Sequence, residues 1–273
     1  MKRALVVGCT GQDGHYLGVQ LKRLGYQVTG LARDGLFDDG QLSGPAIDIC
    51  DGKVITELVA SLQPDEIYHL AADHHASDQN TGDQETLFRL GFATHVEALL
   101  VLLEAMRNEA PRARLFYAAS SLIFGAAGIL YNHESSRRHP SFVSRHIVQT
   151  ALAITKGITD KLVLGAPDAV IDWGYAPDYV DAMHRMLQID RADDFIVASG
   201  KPRRLREFID AVFGALDFPA TGRIHKDVSR LVRVRHGEPL IGDSSKLFKA
   251  TEWQPRHNLE EIARMMVEAE KTQ

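Results

Sequence analysis

The sequence predicts an α/β protein with a doubly wound parallel sheet and a smaller C-terminal lobe. Three observations point there. Short apolar runs alternate with helix-period segments from the first residues, the pattern of a parallel sheet. A glycine-rich turn, Gly8-Cys9-Thr10-Gly11-Gln12-Asp13-Gly14, joins the first run to the first helical segment. Beyond about residue 130 the alternation loses its regularity. With 273 residues, 45% of them hydrophobic, the chain can bury a sizeable core, as one large domain or one domain with an appendage.

Ala4–Val7 reads as a buried strand, His15–Leu24 as a helix and Gln27–Leu31 as a second strand after the break at Gly25. Val54, Ile55, Leu58, Val59 and Leu62 share one helical face. Glu66–Ala72 follows Pro64 as a strand. A long helix is expected from about Leu87 to Asn108, then a strand over Arg114–Ala119. Later come a short strand at Gly128–Asn132, helices at Phe142–Gly157 and Ala176–Leu187, a strand at Asp194–Ala198 and a helix at Leu205–Leu216. A final helix opens near Leu259, where Asn258 and Glu261 form a capping-box pattern. Residues 1–130 are expected to form a dinucleotide-binding domain whose core continues into later segments. Residues 131–273 are read as a mixed lobe interleaved with the last sheet elements.

Composition removes several classes of function. The net charge of −5 comes from 31 basic and 36 acidic side chains spread along the chain, so no basic field invites nucleic acid. Cys9 and Cys50 are too few for a disulfide framework and are not spaced as zinc ligands; each reads as a small core residue in a reduced, cytoplasmic protein. The twelve histidines are scattered, and no metal site is expected. No stretch approaches the roughly 18 apolar residues of a membrane span, and Met1–Gly8 reads as a first strand rather than a leader.

In the glycine-rich turn the first glycine permits a tight strand-to-helix reversal, the second admits a pyrophosphate close to the backbone, and the third lets helix and strand pack closely. The helix N-terminus then presents N–H groups and a positive dipole end to the phosphates. Gly8, Thr10, Gly11, Gln12, Asp13 and Gly14 are therefore cofactor-binding candidates. At the end of the second strand Leu31-Ala32-Arg33 places an arginine where an acidic residue favours NAD, which suits the 2′-phosphate of NADP. Asp34 follows at once, so NAD stays open.

The Gly8-x-x-Gly11-x-x-Gly14 spacing, with Thr10 and Gln12-Asp13 inside it, resembles the extended short-chain dehydrogenase/reductase family, closest to its GDP-mannose 4,6-dehydratases. The likeness runs through most of the chain. Pro64–Ala72 matches the strand that lines the cofactor, and Ala118–Gly125 the strand bearing the catalytic Ser or Thr. Asn132-His133-Glu134-Ser135-Ser136-Arg137-Arg138 matches a segment that contacts a sugar-nucleotide diphosphate. Asp172-Trp173-Gly174, Asp178-Tyr179-Val180, Leu240–Asp243 and Glu252–Pro255 are similar as well. The resemblance implies a Rossmann-like fold, a nucleotide-diphosphate sugar as partner, GDP-linked by preference, and a homodimer. It adds Asp48, Leu70, Ala71 and Ala72 on the cofactor, Asn132, Glu134, Arg138, Arg145, Arg233 and Glu238 on the substrate, and Ser120 as the catalytic hydroxyl.

The family's chemistry needs Tyr-x-x-x-Lys on a helix beside the nicotinamide, the tyrosine as acid/base and the lysine lowering its pKa. Here Gln20, Gly30, Ala72, Ser121, Ser135, Tyr179 and Met183 stand four residues after Tyr16, Tyr26, Tyr68, Tyr117, Tyr131, Tyr175 and Tyr179, so no such pair exists. Leu122 stands where the dehydratases carry a proton-abstracting glutamate. Only about seven residues are left between the strand ending near Ser120 and the one starting near Gly128, whereas a parallel crossover takes a dozen or more. Seven extended residues reach about 24 Å, enough for a bare return but not for a helix. A family segment of a few dozen residues is thus missing, and with it a helix of the dimer interface. Three explanations stay open: loss from the gene, omission from this version of the chain, or transfer of the acid/base role to Tyr131, His74 or His75. The resemblance with its broken catalytic set leaves two functions: a sugar-nucleotide dehydratase, epimerase or reductase, or a catalytically inactive binder of NADP and nucleotide sugar.

Overall fold

The structure, a computed structural model, describes residues 1–38, 40–72, 84–120, 128–227, 229 and 239–272. In chain order its first half holds β1 (Arg3–Val7), α1 (Gln12–Arg23), β2 (Gln27–Ala32), β3 (Gly35–Asp38), β4 (Gln41–Gly44), α2 (Gly52–Leu62), β5 (Glu66–His69), α3 (Gln84–Phe92), a π-helical turn (Ala93–Glu97), α4 (Ala98–Glu109) and β6 (Arg114–Ser120). The second half holds β7 (Gly128–Leu130), β8 (His133–Glu134), α5 (Val143–Thr155), β9 (Leu162–Leu164), β10 (Val170–Asp172), β11 (Gly174–Tyr175), α6 (Ala176–Met186), β12 (Phe195–Val197), β13 (Pro202–Arg204), α7 (Leu205–Gly214), β14 (Ile224–Lys226), α8 (Ser245–Thr251) and α9 (Leu259–Lys271). The chain divides into two compact units. The first takes the described residues up to 72, those from 84 to 129, and 180–195; the second takes 130–179 and those from 196 onward.

The first unit is built on an eight-stranded sheet of order β12-β7-β6-β5-β1-β2-β3-β4. β1 pairs in parallel with β2 on one side and β5 on the other, and β5 pairs in parallel with β6. The doubly wound expectation therefore holds. The strand order reverses at β1, and the crevice outside the C-terminal end of β1 is where such sheets bind ligands. Leu5 and Val7 of β1, Leu31 of β2 and Ile67 of β5 are buried against Ile55, Leu58 and Val59 of α2 and Leu102 and Ala105 of α4.

Two features of this unit escape the sequence patterning. β3 extends the sheet antiparallel to β2 and β4 follows antiparallel to β3, and the Ala32↔Gly35 pair leaves Arg33-Asp34 as a two-residue turn. Gly35 has φ +142°, and a Cβ there would lie 2.3 Å from the Gly44 carbonyl oxygen, so this tight turn requires glycine. The expected helix from Leu87 to Asn108 runs unbroken as α3, the π-turn and α4, and the π-turn, where the Ala98 N–H reaches back five residues to the Ala93 carbonyl, is not signalled by the apolar spacing. Phe88, Phe92, Val96, Leu100 and Leu103 along α3, the π-turn and α4 are exposed. A further correction concerns the cysteines: neither Cys9 nor Cys50 is a core residue, and both are partly exposed because each sits in a loop at the sheet's rim.

At the opposite end of the strands the Glu66 carboxylate is buried. It accepts from Lys2 Nζ at 2.9 Å, Tyr26 at 3.0 Å, Tyr68 at 2.7 Å and Gln188 at 3.0 Å. Burial pushes its pKa up, and the bonds from Gln188, Lys2 and the tyrosines outweigh that and hold it below the usual carboxylate value.

The second unit packs α5, α7 and α9 around Ile147, Val148, Phe208, Phe213, Ile262 and Met266, with the Trp173 and Phe208 rings stacked 4.7 Å apart. Its strands form two-stranded sheets, β10 with β13, β8 with β11 and β9 with β14. α9 carries the expected capping box: Asn258 Oδ1 accepts the Glu261 N–H and the Glu261 carboxylate accepts the Asn258 N–H, both at 2.9 Å. Among the described residues no helix is long and apolar enough to cross a membrane.

Candidate functional site

The glycine-rich turn closes β1 and opens α1 at the switch point. Gly8 has φ +90°, and a Cβ on it would lie 2.7 Å from the Ala71 backbone nitrogen. Its N–H donates to the Leu31 carbonyl at 2.7 Å, and its own carbonyl accepts the Gly11 N–H at 3.1 Å. A Cβ on Gly14 would lie 2.2 Å from the Gly8 oxygen and 2.7 Å from Cys9 Cα. The turn thus folds onto its own backbone, with Gly11, which has no capping side chain, at the N-cap of α1. Gly30 completes it: a Cβ there would meet Cys9 Sγ at 2.6 Å. The motif reading missed Gly30, although a glycine inside a strand signals such close approach.

The other cofactor candidates stand around this turn. Leu70 N–H donates to the Val7 carbonyl at 2.8 Å, which carries the Leu70–Ala72 segment alongside the end of β1. Arg33 and Asp34 are exposed in the turn that follows β2. Asp48 is exposed between Ile47 and Ile49, which pack on the core containing Val7 and Leu31. Its Oδ1 accepts the Cys50 N–H at 2.9 Å. Ser120 closes β6, and its side chain, like residues 73–83 and 121–127 with His74, His75 and Leu122, lies outside the described residues. The sequence also gave no hint of His69, wholly buried at the end of β5 with the Tyr117 ring 5.4 Å away; burial pushes its pKa down to about 4, so the imidazole is neutral at pH 7.

In the second unit the Asn132–Arg138 segment has a mixed character. Asn132 is exposed, and its carbonyl accepts the Gly174 N–H at 2.9 Å. Glu134 is buried; its Oε2 accepts the Ser144 hydroxyl at 2.5 Å and stands 3.5 Å from Arg138 Nε. The Arg138 guanidinium lies over the Phe142 ring, 3.8 Å from its centroid. Stacking and ion pair together fix the plane of that guanidinium. Arg145, by contrast, is buried and bound within the fold, to Glu270 at 2.7 Å and to the Ser136 carbonyl. Arg233 and Glu238 lie outside the described residues. Among the described residues no group of three or more His, Cys, Asp and Glu side chains is placed to hold a metal ion.

Fold and turn define a Rossmann-type chain, and residues 4–129 match the model of the NAD dependent epimerase/dehydratase family. Residues 123–266 match the model of GDP-mannose 4,6 dehydratase, and the chain belongs to that family. It is 30% identical to GDP-mannose 4,6-dehydratase of Yersinia enterocolitica, with 98% of this chain and 93% of the relative covered. It is 31% identical to GDP-mannose 4,6 dehydratase 1 of Arabidopsis thaliana, with 98% and 89% covered. Among solved structures, RMD from Pseudomonas aeruginosa complexed with NADPH superposes with a TM-score of 0.80 at 17% identity, covering 100% of this chain and 98% of that one. UDP-glucose 4-epimerase from Bifidobacterium longum in complex with NAD+ and UDP gives 0.78 at 13%, covering 99% and 98%. At these identities the two structures establish the shared fold.

Proposed function

We propose that this chain holds NADP on the Gly8–Gly14 turn and takes a GDP-linked sugar as its partner molecule. The carrying observation is the turn itself: glycines at Gly8 and Gly14, where a Cβ would collide with the chain's own backbone, let β1 turn tightly into α1, and a helix N-terminus reached through such a turn suits a pyrophosphate. Arg33, exposed after β2, supports NADP over NAD by offering a cation to the 2′-phosphate. Asp48, at the same rim, meets the dinucleotide, and Leu70–Ala72 wall it. On the sugar-nucleotide side Arg138, its plane fixed by Phe142 and Glu134, suits bidentate bonding to a diphosphate, and Asn132 lies exposed two residues before Glu134. Arg145 supports that segment from behind through Ser136. When bound, the nicotinamide supplies a hydride acceptor for sugar oxidation. Ser120 is assigned the hydroxyl that bonds the sugar.

A second reading, binding without turnover, is favoured by two observations: the sequence holds no Tyr-x-x-x-Lys, and Leu122 stands where the dehydratases have a glutamate. The alignment with the Yersinia relative spans 346 residues against 273 in this chain, which supports an internal segment without counterpart here. Incubation with NADP and GDP-mannose, followed by mass spectrometry and calorimetry, separates the readings. Loss of water from the sugar nucleotide establishes the enzyme; binding of both molecules with no change in mass establishes the binder; failure of NADP and GDP-mannose to bind overturns both.

The exposed stripe from Phe88 to Leu103 supports a homodimer, weakened where the family's second interface helix has no counterpart. Sedimentation velocity is expected to show a dimer that dissociates on dilution through the micromolar range; a monomer at every concentration overturns this.

A further inference from the structure

The π-turn is tied to the rest of the first unit at two places. Ala98 N–H reaches back five residues to the Ala93 carbonyl, and that same oxygen accepts the Cys50 thiol, with sulfur and oxygen 3.4 Å apart. Two residues on, the His95 carbonyl accepts the Tyr117 hydroxyl of β6 at 3.3 Å, and His95 Nδ1 lies 3.2 Å from the Tyr117 hydroxyl oxygen. π-turns are rare and concentrate at functional sites, so the question is what these ties hold in place.

Cys50 supplies the answer. Its side chain is bound to the π-turn, while its backbone N–H holds Asp48 Oδ1 at 2.9 Å. Ile47 and Ile49 anchor the same loop inward, leaving Asp48 exposed. Burial, with Asp48 and Glu97 nearby, pushes the Cys50 thiol pKa up, so the thiol keeps its proton and acts as a donor at neutral pH. We propose that Cys50 is a positioning residue for dinucleotide binding: clamped to the π-turn carbonyl of Ala93, it fixes the Asp48 carboxylate. This rests on the reading above that Asp48 meets the dinucleotide.

The test is titration of the intact chain with NADPH, read by its fluorescence, alongside thermal unfolding of the ligand-free protein. Cys50→Ala is expected to weaken NADPH binding about three- to tenfold, the effect of one modest hydrogen bond. Its unfolding midpoint should stay within about 5 °C of the parent, since one such bond is worth little in a chain of this length. Cys50→Ser, which keeps a donor, restores binding to within about twofold. Because Cys50 acts through Asp48, Cys50→Ala added to Asp48→Asn should cost nothing further, whereas a merely structural role would add in both backgrounds. If Asp48→Asn weakens binding while Cys50→Ala does not, or if Cys50→Ser is as weak as Cys50→Ala, the positioning role is overturned. Unchanged binding in Asp48→Asn overturns instead the assignment of Asp48, and no NADPH binding by the parent chain overturns the cofactor reading together with this inference.

Discussion

Gly14→Ala is expected to abolish measurable dinucleotide binding and to destabilise the chain. The added methyl would sit 2.2 Å from the Gly8 carbonyl oxygen and 2.7 Å from Cys9 Cα. Both are backbone atoms, so no side-chain rotation relieves the clash. α1 must instead move away from the end of β1, carrying Leu17 and Leu21 partly out of their buried positions. Overpacking of this kind costs about 1–3 kcal/mol, which lowers the unfolding midpoint by about 3–10 °C. The functional loss is larger. N–H groups that meet a pyrophosphate make charge-assisted bonds worth about 1.5–3 kcal/mol each, so misplacing two of them weakens NADPH about a hundredfold or more. Gly18→Ala is the matched control on the same helix: a Cβ there meets nothing within 4 Å, so the change should leave NADPH binding intact and be neutral or stabilising by about 0.5–1 kcal/mol. Calorimetric titration of both variants checks this; a Gly14→Ala protein that binds NADPH like Gly18→Ala would remove the turn from the cofactor site.

What could be read in the sequence depended on how local its cause was. The Gly8–Gly14 turn is legible because it needs three glycines within seven residues and an apolar run before it, all in one stretch. The start of α9 is legible for the same reason, since Asn258 and Glu261 cap it by themselves. β3 and β4 are not: Gly35–Asp38 and Gln41–Gly44 are short, half-polar strands that owe their form to pairing beyond β2. The π-turn needs Cys50 and Tyr117, 43 and 22 residues from their partners in the turn, to take up its carbonyls. The same distance in sequence hides the partner of Arg145, which bonds Glu270 at the far end of the chain. The family resemblance that places Arg145 on the substrate side says nothing of this internal ion pair. Tyr-x-x-x-Lys shows the reverse case, where a local motif is informative by its absence.

Asp172→Ala is expected to damage the second unit more than any apolar truncation at its surface. Asp172 ends β10 and is fully buried, and its carboxylate gathers three chain segments. Oδ1 accepts the Ser199 N–H at 2.8 Å and the Ser199 hydroxyl at 2.5 Å; Oδ2 accepts the Gly200 N–H at 3.0 Å and the Gly242 N–H at 3.1 Å. The segments lie so close that a Cβ on Gly242 would come 2.2 Å from the Ala198 side chain, leaving little space for water to replace the lost oxygens. Each backbone N–H stranded in this way costs about 1–3 kcal/mol. Because the three share one partner their costs do not add fully, and a total of about 3–5 kcal/mol is expected. That lowers the unfolding midpoint by about 6–15 °C. Asp172→Asn, which keeps one acceptor oxygen but turns an amide toward N–H donors, should fall between parent and alanine. NADPH affinity measured well below the transition should stay at the parent value, since the glycine-rich turn belongs to the other unit. The two variants therefore split: Gly14→Ala loses the dinucleotide out of proportion to its stability, and Asp172→Ala loses stability with the dinucleotide retained. An Asp172→Ala protein that melts within about 1 °C of the parent would mean that these segments are held together by their apolar contacts, with the carboxylate incidental.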